Sequence, residues 1–206
     1  MDLENVYQKE FTKRQKDILS AALAIIAEDG TKALTLRRVS EAVGITDAAI
    51  YKHFKNKRHL LVCLYDYVKS LIIATLSPII ADKSSAKERI CVLIDTIIEY
   101  LVEHKGVNLI LLAESIYHND DELRKAMLSI FHVVGNLIKT LLLAGVTTGE
   151  FKEEIDADMI TICLIGMIQG ALIRYMLEKQ KGKSGFDLNK MKVSIKRCFF
   201  YGVVKE

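Results

Sequence analysis

Residues 34–61, LTLRRVSEAVGITDAAIYKHFKNKRHLL, decide the reading of this chain. Thr35 offers a side-chain oxygen to the first turn of a helix that carries Arg38, Val39, Ala42 and Val43. Gly44 ends that helix after barely two turns, since glycine enters the left-handed conformation without a Cβ penalty. Ile45 reads as a buried link, and Thr46 or Asp47 as the cap of a third short helix through Phe54. Ile50 and Phe54 are four apart and share its inner face. Asn56 makes a turn and a cap. A long helix then runs from Lys57 towards Ser77, where Pro78 bends or stops it. Two short helices meeting at a glycine turn make a helix-turn-helix, whose second helix fits the major groove of a DNA duplex.

Ile45, Ile50 and Phe54 point into a small core with Leu19, Leu23, Val39 and Val43. Asp47, Ala48, Ala49, Tyr51, Lys52 and His53 are left on outward or flanking surfaces. An exposed Tyr-Lys-His run is poor core material, but its donors and charge suit phosphates, and Lys57 sits at the mouth of the next helix. The net charge of +3 says little by itself. Its distribution says more, because residues 31–62 hold seven basic side chains against two acidic ones. A local basic surface of this kind is the electrostatic footprint of a phosphate-binding module.

The rest of the chain also reads as helix. With one proline and 11 glycines in 206 residues, breakers are few. Residues 13–29 form a helix ended by Asp29-Gly30. Residues 87–103 form an amphipathic one, with Ile90, Leu93, Ile94, Ile97, Ile98 and Leu101 inward, broken by Lys105-Gly106. Residues 108–117 follow as a short apolar helix. Asn119 caps the next, with Glu122 at its third position, and it runs to about Ala144. Residues 145–152 read as a turn, 156–179 as a helix apolar almost all round, 182–185 as a flexible loop and 187–203 as a last amphipathic helix. The expectation is an all-α fold of about nine helices. A helix-turn-helix domain spans 1–62, and a helical ligand-binding and dimerisation domain spans 63–206.

Cys63, Cys91, Cys163 and Cys198 show no metal-ligand spacing and read as small buried hydrophobes. The polar N terminus shows no secretory signal. The longest apolar run, residues 159–168, is shorter than a membrane span, so a soluble cytoplasmic protein is expected. His118 beside Asp120, Asp121 and Glu122 reads as capping and solvated charge, with no metal. Lys179, Lys181, Lys183, Lys190, Lys192, Lys196 and Arg197 read as a solvated basic face, a membrane surface being the weaker alternative. No Gly-rich phosphate loop, GxSxG or HExxH is present, so no enzyme and no cofactor are expected.

The stretch 13–62 resembles the tetracycline-repressor (TetR) family. The resemblance lies in Thr35-Leu36-Arg37, the helix from Val39 to Val43, Gly44-Ile45-Thr46, Ile50-Tyr51, His53-Phe54, Lys57 and Leu60-Leu61. Beyond it the chain matches only in length, helix count and the turn GVTTGEF at residues 145–151. The resemblance implies that Arg37, Asp47, Ala48 and Ala49 face base edges, with Thr46 in the turn. It implies that Thr35, Tyr51, His53 and Lys57 hold phosphates, and that Lys52 does either. Ala48 and Ala49 offer only apolar contact, so direct readout rests largely on Arg37. Asp47 reads equally well as a helix cap or a base contact.

One such unit touches too few bases to be specific, so a homodimer on a near-palindromic operator is expected. Met159, Gly166 and Gly170, together with a seam of Leu188, Met191, Ile195, Phe199 and Val203, are the candidate dimer surface, matching the four-helix dimer bundle of TetR relatives. The resemblance also implies a pocket for a small, mostly hydrophobic effector that releases a repressor from DNA. Asn108, Glu114, Ser115, Tyr117, His132, Asn136 and Gln169 are the candidate contacts. The alternative is a helical adaptor without operator binding.

Overall fold

The computed structural model describes residues 9–117, 119–179 and 187–204. His118, Lys181, Lys183 and the loop at 182–185 lie outside the described residues. Among those described, nine α-helices follow one another: α1 (Lys13–Asp29), α2 (Leu36–Val43), α3 (Asp47–Tyr51), α4 (Lys57–Ala81), α5 (Ala86–Glu103), α6 (Val107–Tyr117), α7 (Asp121–Thr147), α8 (Ala157–Lys179) and α9 (Leu188–Val203). The only β pairing among them is an isolated antiparallel bridge between Phe151 and Val204.

Local chemistry sets most helix starts. Thr12 accepts from the Gln15 N–H while the Gln15 side chain accepts from the Thr12 N–H, a capping box for α1. Ser85 and Glu88 repeat the arrangement at α5, and Asp187 caps α9. Three expectations are corrected. The cap of α7 is Asp120, not Asn119: its carboxylate accepts from the Glu122 and Leu123 N–H groups, and an anion suits the positive end of a helix better than an amide. Pro78 does not stop α4, which runs on to Ala81, with the Asp82 N–H reaching the Pro78 carbonyl at 3.1 Å. The proline removes one donor, and the ladder resumes beyond it. Gly145 lies within α7 and not in a turn. A Cβ there would sit 2.2 Å from the ring of Phe151, which is fully buried. Gly149, at φ 76°, makes the actual turn.

The chain forms two compact units. One combines the residues up to Ile73 with Val107–Val133, the other Ala74–Gly106 with the residues from Val134. In the first, Ile18, Leu19, Ile26, Leu34, Val39, Ile50, Phe54 and Leu60 are fully buried. Each such side chain contributes roughly 1.5–3 kcal/mol. That burial sustains α2 and α3, which are too short to persist alone. Val43 and Ile45, expected in this core, are only half-buried. The Tyr65 hydroxyl donates to the Leu111 carbonyl at 2.7 Å, tying α4 to α6, and burial pushes its pKa up.

In the second unit α5 packs against α8 and α9. Lys196 pairs with Asp95 at 2.7 Å, and Lys192 with Glu99, joining α9 to α5. Glu150 accepts from the Ala86 and Lys87 N–H groups at 3.0 Å each, closing the start of α5. Burial pushes its pKa up, but these amide bonds, the Thr148 hydroxyl and the charge of Arg89 together hold it below the usual value.

Met191, Ile195, Phe199 and Val203 are buried within the single chain. The α9 seam expected to face a partner therefore faces its own unit. Cys163 and Cys198 are exposed, contrary to their apolar surroundings in sequence. Among the described residues, three helices, α4, α7 and residues Ala157–Glu178 of α8, are by length and composition long and apolar enough to cross a membrane. The longest unbroken apolar run underestimated them, because a long helix tolerates scattered polar residues.

Candidate nucleic-acid interface

The helix-turn-helix is α2, the Gly44 turn and α3. Gly44 adopts φ 72° and ψ 38°, the left-handed conformation expected of the turn. Thr46 is the cap of α3, its hydroxyl oxygen accepting from the Ala49 N–H at 3.2 Å. Asp47 is therefore not the cap. Its carboxylate accepts from the Ser40 hydroxyl at 2.5 Å, and Ser40 is buried in α2. This bond pins α3 onto α2. The Ser40 hydroxyl also lies 2.8 Å from the Arg37 carbonyl of its own helix, and because a serine inside a helix usually makes that local bond it carried no signal in the sequence.

Thr35 caps α2 through the Arg38 N–H. Arg37 stands in solvent and pairs with Glu41 at 3.0 Å, which raises its pKa. Ala48, Tyr51 and Lys52 are exposed, and Ala49 and His53 half-buried, so α3 and the turn after it present the expected face. The Lys57 ammonium donates to the Thr31 carbonyl at 2.7 Å. Lys57 lines an open cleft of about 410 Å³ with Thr31, Lys32, Arg58, Leu61, Glu114, Asp120 and Leu123. The Thr31 hydroxyl in turn donates to Glu114 of α6. Arg58 makes two hydrogen bonds to Asp120, at 2.6 and 2.9 Å, and pairs with Glu122 at 2.6 Å. The Arg58 hydrogen bond holds the Asp120 carboxyl at a pKa of about 2, and Asp120 in turn raises that of Arg58. These contacts couple the start of α4 to α6 and α7, and the sequence could not show them.

The seven polar candidates for effector contact separate. Tyr117 is 85% exposed, and His132 and Asn136 are exposed as well, so these three stand at the surface. The Ser115 hydroxyl bonds its own helix at the Leu112 carbonyl. Glu114 holds Thr31, and Gln169 is half-buried. Asn108 is half-buried, with its Oδ1 shielded from solvent and lacking a hydrogen-bond partner among the described residues.

On α8, Met159, Ile162, Gly166, Gly170, Ile173 and Leu177 are all exposed and recur three or four apart, forming one stripe. A Cβ at either glycine would meet nothing within 4 Å. Val193 and Tyr201 of α9 are exposed too.

Family profiles match two parts of the chain. "Bacterial regulatory proteins, tetR family" matches residues 18–63, and "Tetracyclin repressor-like, C-terminal domain" matches residues 83–173. The chain is 24% identical over 195 residues to the fatty acid metabolism regulator protein of Bacillus subtilis, covering 95% of this chain and 98% of that one. It is 21% identical over 179 residues to the nucleoid occlusion factor SlmA of Photobacterium profundum, covering 85% and 91%. Among solved structures, the transcriptional regulator FadR of Bacillus subtilis in complex with stearoyl-CoA superposes with a TM-score of 0.78 at 24% identity, over 91% of this chain and 98% of that one. The fatty acid degradation regulator FadR of Bacillus halodurans does so with a TM-score of 0.80 at 20% identity, over 94% and 98%. With one profile on the helix-turn-helix and the other on the helices that follow it, the chain belongs to the tetR family of bacterial regulatory proteins.

Proposed function

We propose that the protein is a cytoplasmic transcriptional repressor that binds a near-palindromic operator as a homodimer and leaves it when a small, mostly hydrophobic effector binds. The observation that carries this is the exposed outer face of α3, set on α2 by the Gly44 turn. Arg37 reads a guanine, and Ala48 and Ala49 make apolar contact with thymine methyls. Thr35, Tyr51 and His53 hold phosphates, and Lys52 adds charge at the groove. Asp47 contributes chiefly by fixing α3 to α2.

The α8 stripe supports the dimer. A surface helix needs one apolar face, and α8 keeps a second one in solvent that another copy would cover. Gly166 and Gly170 allow close backbone approach there. For the effector, the complex of the Bacillus subtilis FadR with stearoyl-CoA makes a fatty acyl thioester the first compound to try. The unpaired Asn108 Oδ1 would accept a hydrogen bond from an N–H or O–H group of such a molecule.

The test is a gel shift with DNA flanking the protein's own gene, with and without long-chain acyl-CoA. A shift that acyl-CoA reverses is expected. No shift on any fragment of that DNA would overturn the repressor reading and favour a helical adaptor.

A further inference from the structure

We infer that Glu41 is a positioning residue for base recognition: it holds the Arg37 guanidinium by Nε, leaves the two terminal nitrogens to meet a base end-on, and raises specificity while lowering general affinity for DNA. This deepens the reading of Arg37 as the guanine contact and rests on it.

The bond runs from Arg37 Nε to Glu41 Oε1 at 3.0 Å. Among the described residues, the two terminal nitrogens of Arg37 carry no hydrogen bond. Arg38 beside it is used differently, with a terminal nitrogen turned onto Asp29. A guanidinium presents its donors in a rigid fork, and two neighbouring donors match O6 and N7 of guanine. With Nε occupied, the two terminal nitrogens are the pair left for that contact. The charge of Asp47 also acts on Arg37, and Asp47 is itself fastened to α2 by Ser40. The guanidinium is thus drawn towards the turn between α2 and α3 by two carboxylates, one of which grips it.

Helix stability does not explain the pair. α2 is eight residues long, with Arg37 in its first turn and Glu41 in its last. The helix dipole favours the opposite order, anion first and cation last. The side chains of Arg37 and Glu41 are 80% and 63% exposed, so their bond adds little to folding. Glu41 lies one turn along α2 from Arg37 on the same face, which sets a carboxylate beside a polyanion and lowers general affinity for DNA. What the carboxylate supplies is direction. An arginine without it swings to the nearest phosphate, and a phosphate contact binds without reading sequence.

The test begins with a library of random-sequence duplexes, from which the wild-type protein and Arg37→Ala each select. A guanine that the wild type enriches and Arg37→Ala does not marks the contact. Two fluorescein-labelled probes are then titrated by anisotropy, the selected duplex and the same duplex with adenine at that position, beside a mixed-sequence duplex. An exposed pair of this kind is worth about twofold per head, so Glu41→Ala should lower the guanine-to-adenine affinity ratio about fourfold in a dimer. Affinity for the mixed-sequence duplex should rise, by a factor that shrinks as KCl is added. The melting midpoint should not fall. In the Arg37→Ala background, Glu41→Ala should leave the ratio unchanged, because Glu41 acts only through Arg37. An unchanged ratio in Glu41→Ala alone overturns the inference. So does a fall in all three affinities together with the midpoint, which would make Glu41 a structural residue, or a changed ratio in the Arg37→Ala background. If Arg37→Ala enriches the same guanine as the wild type, the base-reading role of Arg37 fails first and the inference falls with it.

Discussion

Asp120 holds two structures at once. It caps α7 through two backbone N–H groups and grips Arg58 of α4. Its pKa of about 2 lies below the ordinary 3.8, so the folded chain keeps it ionised. A carboxyl depressed on folding stabilises fully above its ordinary value and loses that contribution as pH falls through the folded one. Thermal melts should therefore show a loss between about pH 4 and pH 2 that Asp120→Asn removes. A wild-type slope in the variant would assign the loss to other carboxylates. Gly145 makes the opposite kind of statement, that of an absent side chain. Gly145→Ala forces the Phe151 ring aside and should cost about 1–3 kcal/mol in urea unfolding. Phe151→Leu should recover part of that cost, and equal costs in both backgrounds would exclude the ring as its source.

At the scale of elements, α3 is five residues long and depends on its neighbours for existence. Thr46 stops its first turn from fraying and Ser40 fastens it through Asp47. Thr46→Ala removes the cap at about 1 kcal/mol. With α3 partly unformed in the free protein, DNA binding should weaken by roughly fivefold, and Thr46→Ser should restore it. Full affinity in Thr46→Ala, measured by anisotropy, would mean that burial of Ile50 and Phe54 alone holds α3. α4 shows how far a single residue rule reaches. Pro78 removes one donor, yet the helix continues because the residues on both sides keep their own bonds.

For the whole molecule, the exposed α8 stripe makes the assembly testable. Gly170→Glu places a charge on the face proposed for the second copy and should convert a dimer to a monomer in sedimentation. Operator binding should fall with it, since two heads must engage two half-sites. Leu128→Glu, on the exposed face of α7, should leave the dimer intact. If Gly170→Glu stays dimeric, the interface lies elsewhere.

Much of this molecule follows from its sequence because the forces involved are local. Thr35 caps, Gly44 turns, Ile50 and Phe54 share a face, and each of these needs only a few neighbouring residues. The helix-turn-helix and the all-α fold were legible for that reason. Periodicity shows that a face of α9 is buried but not what buries it, so Met191, Ile195 and Phe199 could be assigned to their own unit only from the fold. The same holds for contacts between distant residues. Asp120 meets Arg58 across 62 positions, and Lys57 meets the Thr31 carbonyl across 26. The sequence alone determined which residues can form a DNA-reading head. Only the tertiary structure decided where their charges point, because a long flexible side chain takes its direction from partners that the chain brings back from far away.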